Sequence, residues 1–371
     1  MNKKISGIQV GMLLYLICCS FYLGLNDIIL LNKSSNQVLI SMILGTLIGL
    51  IPVFMYLKIN DTMPDLNIYE KNKKLFGKVF GNIINIIIIL SYMIFLVIAI
   101  RAIVIFVTSK YLQVTPYIFV GFLAVLTCFI ICYKGIETIA RISQISFWAS
   151  LTLMILIEIF LLRYVEIENI LPIFTENYIS NTLEGAIYHA STCGFLTLLL
   201  LSIKKSKIKN PKKYNITVLA FYLLSSFSLI IVMFFAVSCF GYKMASLFRY
   251  PEYILLKKIG LLNSELHLEN LLAFRWIFYM LGLAIISLYG IMKGIENFNK
   301  NVKIKNILSF IIAIICMYAG KIIFGDIPHS IRMVKKYYIP VFALPTFIIF
   351  FIIFIRCIIV KKRNSSVIKN N

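Results

Sequence analysis

Two arginines inside long apolar stretches are the first candidates for chemistry in this 371-residue chain. If these stretches cross a membrane, a guanidinium there is costly unless it faces a wet cavity or a partner. Arg101 is therefore a candidate for ligand binding. Arg275 lies nearer the end of its stretch, and we expect it to snorkel to the membrane surface. Glu158 is one turn from Arg163, and this spacing predicts a salt bridge at the membrane interface.

The remaining reactive side chains do not form a catalytic or metal-binding pattern. Cys128 and Cys132 share a helix face, but no histidine or second cysteine pair completes a metal site. His189 is a lone histidine that we expect a hydroxyl group to satisfy. The chain shows no nucleophile–base pair and no phosphate-binding glycine loop. We therefore predict that it is not an enzyme and that it binds no metal and no cofactor.

Two short stretches are small or polar where a plain membrane anchor would be rich in leucine. The first is Ser20-Phe21-Tyr22-Leu23-Gly24, and the second is His189-Ala190-Ser191-Thr192-Cys193-Gly194. Such stretches are typical of broken transporter helices, whose free backbone groups can bind a ligand. The alternative is that the small residues only allow helices to pack closely.

The elements that carry these residues are long apolar runs. Hydrophobic residues make up 60% of the chain, and the mean hydropathy is +0.91. Each run is about as long as a helix that crosses a ~30 Å hydrocarbon layer, which predicts an all-α integral membrane protein. We place ten transmembrane helices at about 8–31, 37–57, 81–108, 115–133, 142–163, 185–203, 215–239, 271–292, 305–323 and 337–360, followed by a tail at 361–371.

Basic residues predict the orientation of these helices. The N-terminus, the loops after even-numbered runs and the C-terminus together carry 24 lysines and arginines, whereas the other loops carry 11. Because basic residues favour the cytoplasmic face, both termini should be cytoplasmic. The net charge of +22 lies mainly in these loops. It therefore indicates topology and contact with anionic lipid rather than binding of nucleic acid.

Ten helices divide into five plus five, and the second half must enter from the opposite side. This arrangement predicts an inverted-repeat transporter fold with its binding site at the membrane midplane. In that fold helices 1 and 6 are the broken pair. We therefore predict a ligand pocket between helices 1, 3, 6 and 8, formed by Ser20, Tyr22, Ser191, Thr192, Gly194 and Gly282, with Arg101 as a further ligand contact.

An ordered set of short motifs resembles the spore germination permease family, which belongs to the amino acid–polyamine–organocation transporter superfamily. The resemblance covers nearly the whole chain. Its motifs are Leu44-Gly45-Thr46-Leu47-Ile48-Gly49-Leu50, Phe76-Gly77-Lys78 with Gly81, Arg101 before Thr115-Pro116, Lys134-Gly135-Ile136-Glu137, Asn169-Ile170-Leu171-Pro172, and Tyr289 to Gly294.

Four positions depart from the family pattern. Ser20 and Tyr22 stand where the family usually has the two glycines of a G-x-G break. Ile105 stands where an acidic residue often follows the arginine of helix 3, and Leu196 stands near the place of a glutamate in helix 6. The sequence therefore lacks two carboxylates that would handle a coupling ion or a ligand amine.

The resemblance implies a membrane subunit of a nutrient germinant receptor, of the type called the B subunit. Such a subunit would bind a small nutrient such as an amino acid, with a larger membrane subunit and a lipoprotein as partners. It would lie in the bacterial cell membrane or the spore inner membrane. Two alternatives remain: an amino acid permease of the same fold, and a structural receptor subunit without ligand binding.

Overall fold

A bundle of helices makes up nearly all of the protein. The computed structural model describes residues 4–20, 26–172, 177–248, 250–262, 268–325 and 327–369. The α-helices are α1 Gly7–Ser20, α2 Asp27–Ser34, α3 Val38–Asp61, α4 Ile68–Phe76, α5 Lys78–Lys110, α6 Tyr117–Lys134, α7 Ile136–Leu161, α8 Tyr178–Thr192, α9 Pro211–Ala245, α10 Pro251–Leu262, α11 Leu268–Phe298, α12 Val302–Phe324, α13 Ile327–Tyr337 and α14 Leu344–Lys369.

Shorter elements join these helices. A 3₁₀ segment, Gly194–Ser202, continues the path of α8, and a π-helical segment, Tyr338–Ala343, joins α13 to α14. Strand β1, Ile5–Ser6, pairs in parallel with β2, Ile208–Lys209. Further 3₁₀ turns lie at Ser35–Gln37, Leu162–Tyr164, Ile167–Ile170 and Lys205–Lys207.

Nine helical spans in the described part of the chain are long and apolar enough to cross a membrane, and Gly7–Ser20 is a shorter apolar helix. The predicted class, an all-α membrane protein, is therefore confirmed. The count of ten stays a prediction because it requires α1 and α2 to form one crossing together. The predicted bounds of the individual helices also stay predictions.

Two helices precede α3 near the start of the chain. Helix α1 ends at Ser20 and α2 begins at Asp27, with residues 21–25 outside the described part of the chain. At Ser35 the backbone has a positive φ of 51°, which ends the regular helical backbone of α2 before α3. The predicted break at Ser20–Gly24 lies mostly outside the described residues and stays a prediction.

The centre of the bundle is formed by the most buried helices. Of the most apolar 18-residue stretch in α8 and its 3₁₀ continuation, 89% is buried, and for the corresponding stretch of α11 the buried share is 72%. From Val10 to Ser20, every residue of α1 is buried. Helices α6, α12 and α14 bury much smaller shares. A helix that is apolar all round belongs in the interior, so α1, α8 and α11 surround the centre.

Two helices outside the spans join neighbouring segments. Helix α4 follows Asn67, and its first turn is a capping box in which Glu70 N donates to Asn67 Oδ1 at 3.0 Å. Helix α10 packs on α11 and α9. Glu252 and Leu256 near its start are therefore buried against the bundle.

Candidate functional site

The break in helix 6 lies where α8 becomes a 3₁₀ segment. Cys193, between the two, has φ −108° and ψ −65°, away from α-helical values. Hydroxyl groups in the last turn of α8 bond to its own carbonyls: Ser191 Oγ donates to Tyr188 O at 2.7 Å, and Thr192 Oγ1 donates to His189 O at 3.1 Å. The hydroxyl groups of Ser191 and Thr192 and the backbone carbonyls that accept their bonds therefore lie close together at the break.

Neighbouring elements also donate to the backbone at this break. Tyr338 OH, on the π-helical segment, donates to Ser191 O at 2.8 Å. Cys18 Sγ, on α1, donates to Cys193 O at 3.4 Å. Because a helix that loses its regular bonds exposes carbonyl acceptors, these donors compensate for the change in helix type. An N–H donor of a ligand could use the same carbonyls.

Gly194 and Gly282 lie at close helix contacts. A Cβ atom on Gly194 would lie 2.6 Å from Gly49 Cα, and one on Gly282 would lie 2.9 Å from Leu16 Cβ. Both distances are too short for real Cβ contacts. Close packing therefore explains these two glycines, and their predicted contact with a ligand stays a prediction.

The structure describes only one of the two predicted site residues of helix 1. Ser20 is fully buried at the end of α1, and its Oγ donates to Ile17 O at 2.6 Å. Tyr22 lies outside the described residues. Since α1 contacts the 3₁₀ segment directly, Ser20 lies on the helix that packs against the break.

Arg101 makes its contacts on other elements. Its guanidinium donates to the carbonyl of Gly325, which follows the end of α12, and lies 5.1 Å from the centre of the Tyr117 ring. A Cβ atom on Gly320 of α12 would also lie 3.3 Å from Arg101 Cβ. The structure therefore places Arg101 between α5, α6 and α12, whereas Ser191, Thr192 and Gly194 lie at the break of helix 6.

An apolar crevice lies beside the break. It has a volume of about 180 Å³ and opens between α3, α8 and the last span. Of the predicted site residues that the structure describes, Ser191 lines it. The other lining residues are Ile48, Ile51, Pro52, Ile187, Ala190, Phe195, Ile339, Ala343, Leu344 and Phe347.

The buried charges differ from those expected from sequence. Arg275 is 1% exposed, and its Nη2 lies 2.6 Å from Glu252 Oε2, so the prediction that it snorkels was wrong. Glu158 is also buried, and it faces Arg275 at 3.7 Å rather than the predicted partner Arg163. The sequence pattern missed this cluster because its three residues belong to three separate elements.

His189 has the partner expected of it. Its ring is fully buried, and Nε2 lies 3.3 Å from the hydroxyl oxygen of Thr46 on α3.

In the part of the chain that the structure describes, no group of three or more histidine, cysteine, aspartate or glutamate residues could hold a metal ion.

Comparisons with known proteins agree with this architecture. Residues 4–324 match the family described as spore germination protein. The putative spore germination protein YfkT of Bacillus subtilis (strain 168) is 24% identical over 269 residues, which are 72% of this chain and 73% of that protein. The crystal structure of MhsT in complex with L-phenylalanine covers 93% of this chain and 85% of its own, at 15% identity and a TM-score of 0.55. At this identity the likeness shows the fold alone, and the predicted transporter fold is confirmed.

Proposed function

This chain belongs to the spore germination protein family, and from that premise we propose that it is the membrane subunit of a nutrient germinant receptor. It binds a small nutrient, an amino acid, in a transporter-like pocket beside the break in helix 6 and passes the signal to partner subunits. The proposed partners are a larger membrane subunit and a lipoprotein. The proposed location is the cell membrane or the spore inner membrane, with both termini in the cytoplasm.

The break in helix 6 is the observation that carries this proposal. Carbonyl oxygens at Ser191 and Cys193 lie in the interior, and each accepts a bond from a side chain of another element. An ammonium group has three N–H donors and no acceptor, so it suits backbone carbonyls at such a break. A protein of the same fold was crystallised with L-phenylalanine, which supports an amino acid as the ligand.

The crevice beside Ser191 suits an apolar side chain. Its lining is almost entirely aliphatic and aromatic, and about 180 Å³ is enough for a side chain of intermediate or large size. Burial of apolar surface contributes about 25 cal/mol per Å², so an apolar amino acid gains affinity there. We therefore propose that the nutrient is an amino acid with an apolar side chain.

Ala190 offers a direct test of this pocket. Ala190 lines the crevice, so Ala190→Phe should fill the space that the ligand needs. We expect one or more apolar L-amino acids to raise the thermal unfolding midpoint of the purified wild-type protein, and we expect this rise to disappear in Ala190→Phe. Leu183→Phe, at an exposed position on the same helix, is the matched control and should keep the rise.

The same measurement separates the alternative functions. If none of the twenty amino acids shifts the unfolding midpoint of the wild-type protein, a structural subunit without ligand binding is supported instead. If an amino acid binds, uptake of that labelled amino acid into proteoliposomes separates the other two. Sustained stoichiometric uptake supports a permease, whereas binding without uptake supports a receptor.

A further inference from the structure

Three ionisable side chains from three elements meet in the interior, away from the break in helix 6. Arg275 on α11 lies 2.6 Å from Glu252 on α10 and 3.7 Å from Glu158 on α7. The three side chains are only 1%, 4% and 10% exposed, respectively. Helix α10 therefore joins the bundle through a buried ion pair.

The charges of this cluster do not balance when all three groups are ionised. One guanidinium faces two carboxylates, which leaves one negative charge without a counterpart. An unpaired buried carboxylate is so costly that the group binds a proton instead. Glu252 makes the short contact with Arg275, and Glu158 makes the long one, so Glu158 is the better place for the proton.

Several polar atoms at this cluster make no hydrogen bond within the described structure. They include Glu252 Oε1, both carboxyl oxygens of Glu158, and Nε1 of the buried Trp276. Trp276 and Glu252 line a cavity of about 10 Å³ together with Asp27 of α2. A water molecule needs about 10–15 Å³ on this measure, so the cavity has room for a single water that could deliver a proton.

Among the described residues, the other ionisable groups that face the cluster carry no positive charge. They are Tyr15 and Cys19 on α1, Asp27 on α2, Cys239 on α9 and Tyr279 on α11. A metal ion is also unsuited, since Arg275 occupies the centre with its own positive charge. A proton is therefore the ligand that this arrangement can accept.

We propose that Glu158 and Glu252 together bind one proton at neutral pH, and that this proton site fastens α10 to the bundle. The proton comes from solvent and forms one carboxylic O–H bond, while the other carboxylate stays ionised against Arg275. Burial also raises the pKa of Glu252. The proposal goes beyond the nutrient pocket, because its residues and its test are independent of any nutrient.

Infrared spectroscopy of the purified protein tests the shared proton. At neutral pH the wild-type protein should show the C=O absorption of one buried, protonated carboxylic acid. Glu158→Gln should lose this absorption, because the remaining Glu252 is ionised beside Arg275. Glu252→Gln should lose the same absorption for the same reason. Glu168→Gln, at an exposed position in the loop after α7, should keep it.

The pH dependence of stability gives a second measurement that does not depend on one variant. The native cluster keeps a proton that the unfolded chain releases above the ordinary glutamate pKa of about 4.3. Stability should therefore fall as pH rises above that value. The unfolding midpoint of Glu158→Gln should lack this component, relative to Glu168→Gln. An absorption that is missing in the wild-type protein, or that survives in both cluster variants, would overturn the proposal.

Discussion

At the scale of single residues, Arg101 shows how partners decide the role of a partly exposed charge in an apolar span. The guanidinium donates to the carbonyl of Gly325 and lies over the ring of Tyr117. Cations near a helix C-terminus interact favourably with its partial negative charge. Arg101 therefore stabilises the end of α12, and its neighbours are protein groups in the described structure.

We expect Arg101→Leu to destabilise the protein by about 1.5–3 kcal/mol, the usual contribution of a hydrogen bond to a charged group. Arg101→Lys should recover only part of this loss, because a point charge does not replace the planar guanidinium. Thermal unfolding in detergent measures both effects. Normal stability of Arg101→Leu together with loss of nutrient binding would instead support the ligand role that the sequence predicts for Arg101.

The sequence identified the unusual residues but not their partners. Arg101 and Arg275 stand out because a charge in an apolar run is rare. Gly325, however, is 224 positions from Arg101, and Glu158 reaches Arg275 only after α7 and α11 pack together. Such contacts depend on the tertiary arrangement, so a periodic pattern cannot reveal them. Ser191 and Thr192 were easier to place because a local break gives a local signal.

At the scale of elements, α4 connects several spans at the lysine-rich end of the bundle. Tyr69 OH donates to Gly290 O of α11 at 2.8 Å. Lys71 Nζ donates to Ile59 O of α3 at 2.7 Å, at a helix end where carbonyls lack partners. Lys71 is 1% exposed, and burial lowers its pKa to about 8. This lysine thus fastens α4 to α3 at the cost of burying a charge.

Lys71 should give the protein a measurable dependence on alkaline pH. Between pH 8 and about 10.5 the unfolded lysine keeps a proton that the native lysine releases, so stability rises with pH. Relative to Lys71→Met, the wild-type protein should gain up to about 3 kcal/mol over this range. Unfolding midpoints measured across the range test this expectation.

Lys74→Met is the matched control for this measurement, because Lys74 lies on the exposed side of the same helix. The control should follow the wild-type curve. A parallel pH dependence of Lys71→Met and the wild-type protein would show that the Lys71 charge is not buried in solution.

The elements themselves were predictable where a local signal exists. Asn67 and Glu70 form the capping box of α4, a motif that neighbouring residues alone can indicate. The packing of α10 on α9 and α11 has no such signal, because an amphipathic pattern shows that one face is covered but not what covers it. The close approach of Gly49 and Gly194 likewise requires that α3 and the 3₁₀ segment meet.

At the scale of the whole molecule, contacts at one end of the bundle unite the lysine-rich segments. Strand β1 pairs with β2, Ser206 N donates to Pro64 O at 3.0 Å, and Lys204 pairs with Glu70 at 2.7 Å. These bonds place the N-terminus and the segments after α3 and Gly194–Ser202 on one side, as the alternating basic loops predict. Hydropathy and charge thus predict the overall arrangement well, because both depend on the bilayer rather than on particular contacts.

The remaining prediction is that this lysine-rich end faces the cytoplasm. It follows from the bias of 24 basic residues against 11, because basic loops resist transfer across the membrane. A cysteine at Val114, which is 99% exposed between α5 and α6, should react with an impermeant thiol reagent added outside intact cells. A cysteine at the exposed Lys209 should react only after the membrane is opened.

The eight native cysteines are first replaced so that they do not contribute, although the structure buries all but Cys239, which is partly exposed. Reaction of the Lys209 cysteine in intact cells, with protection of the Val114 cysteine, would invert the topology. Such an inversion would move the Glu158–Glu252–Arg275 cluster to the cytoplasmic end, because these residues lie at the end of the bundle opposite β1 and β2. The labelling experiment therefore also decides from which side of the membrane the proton site is reached.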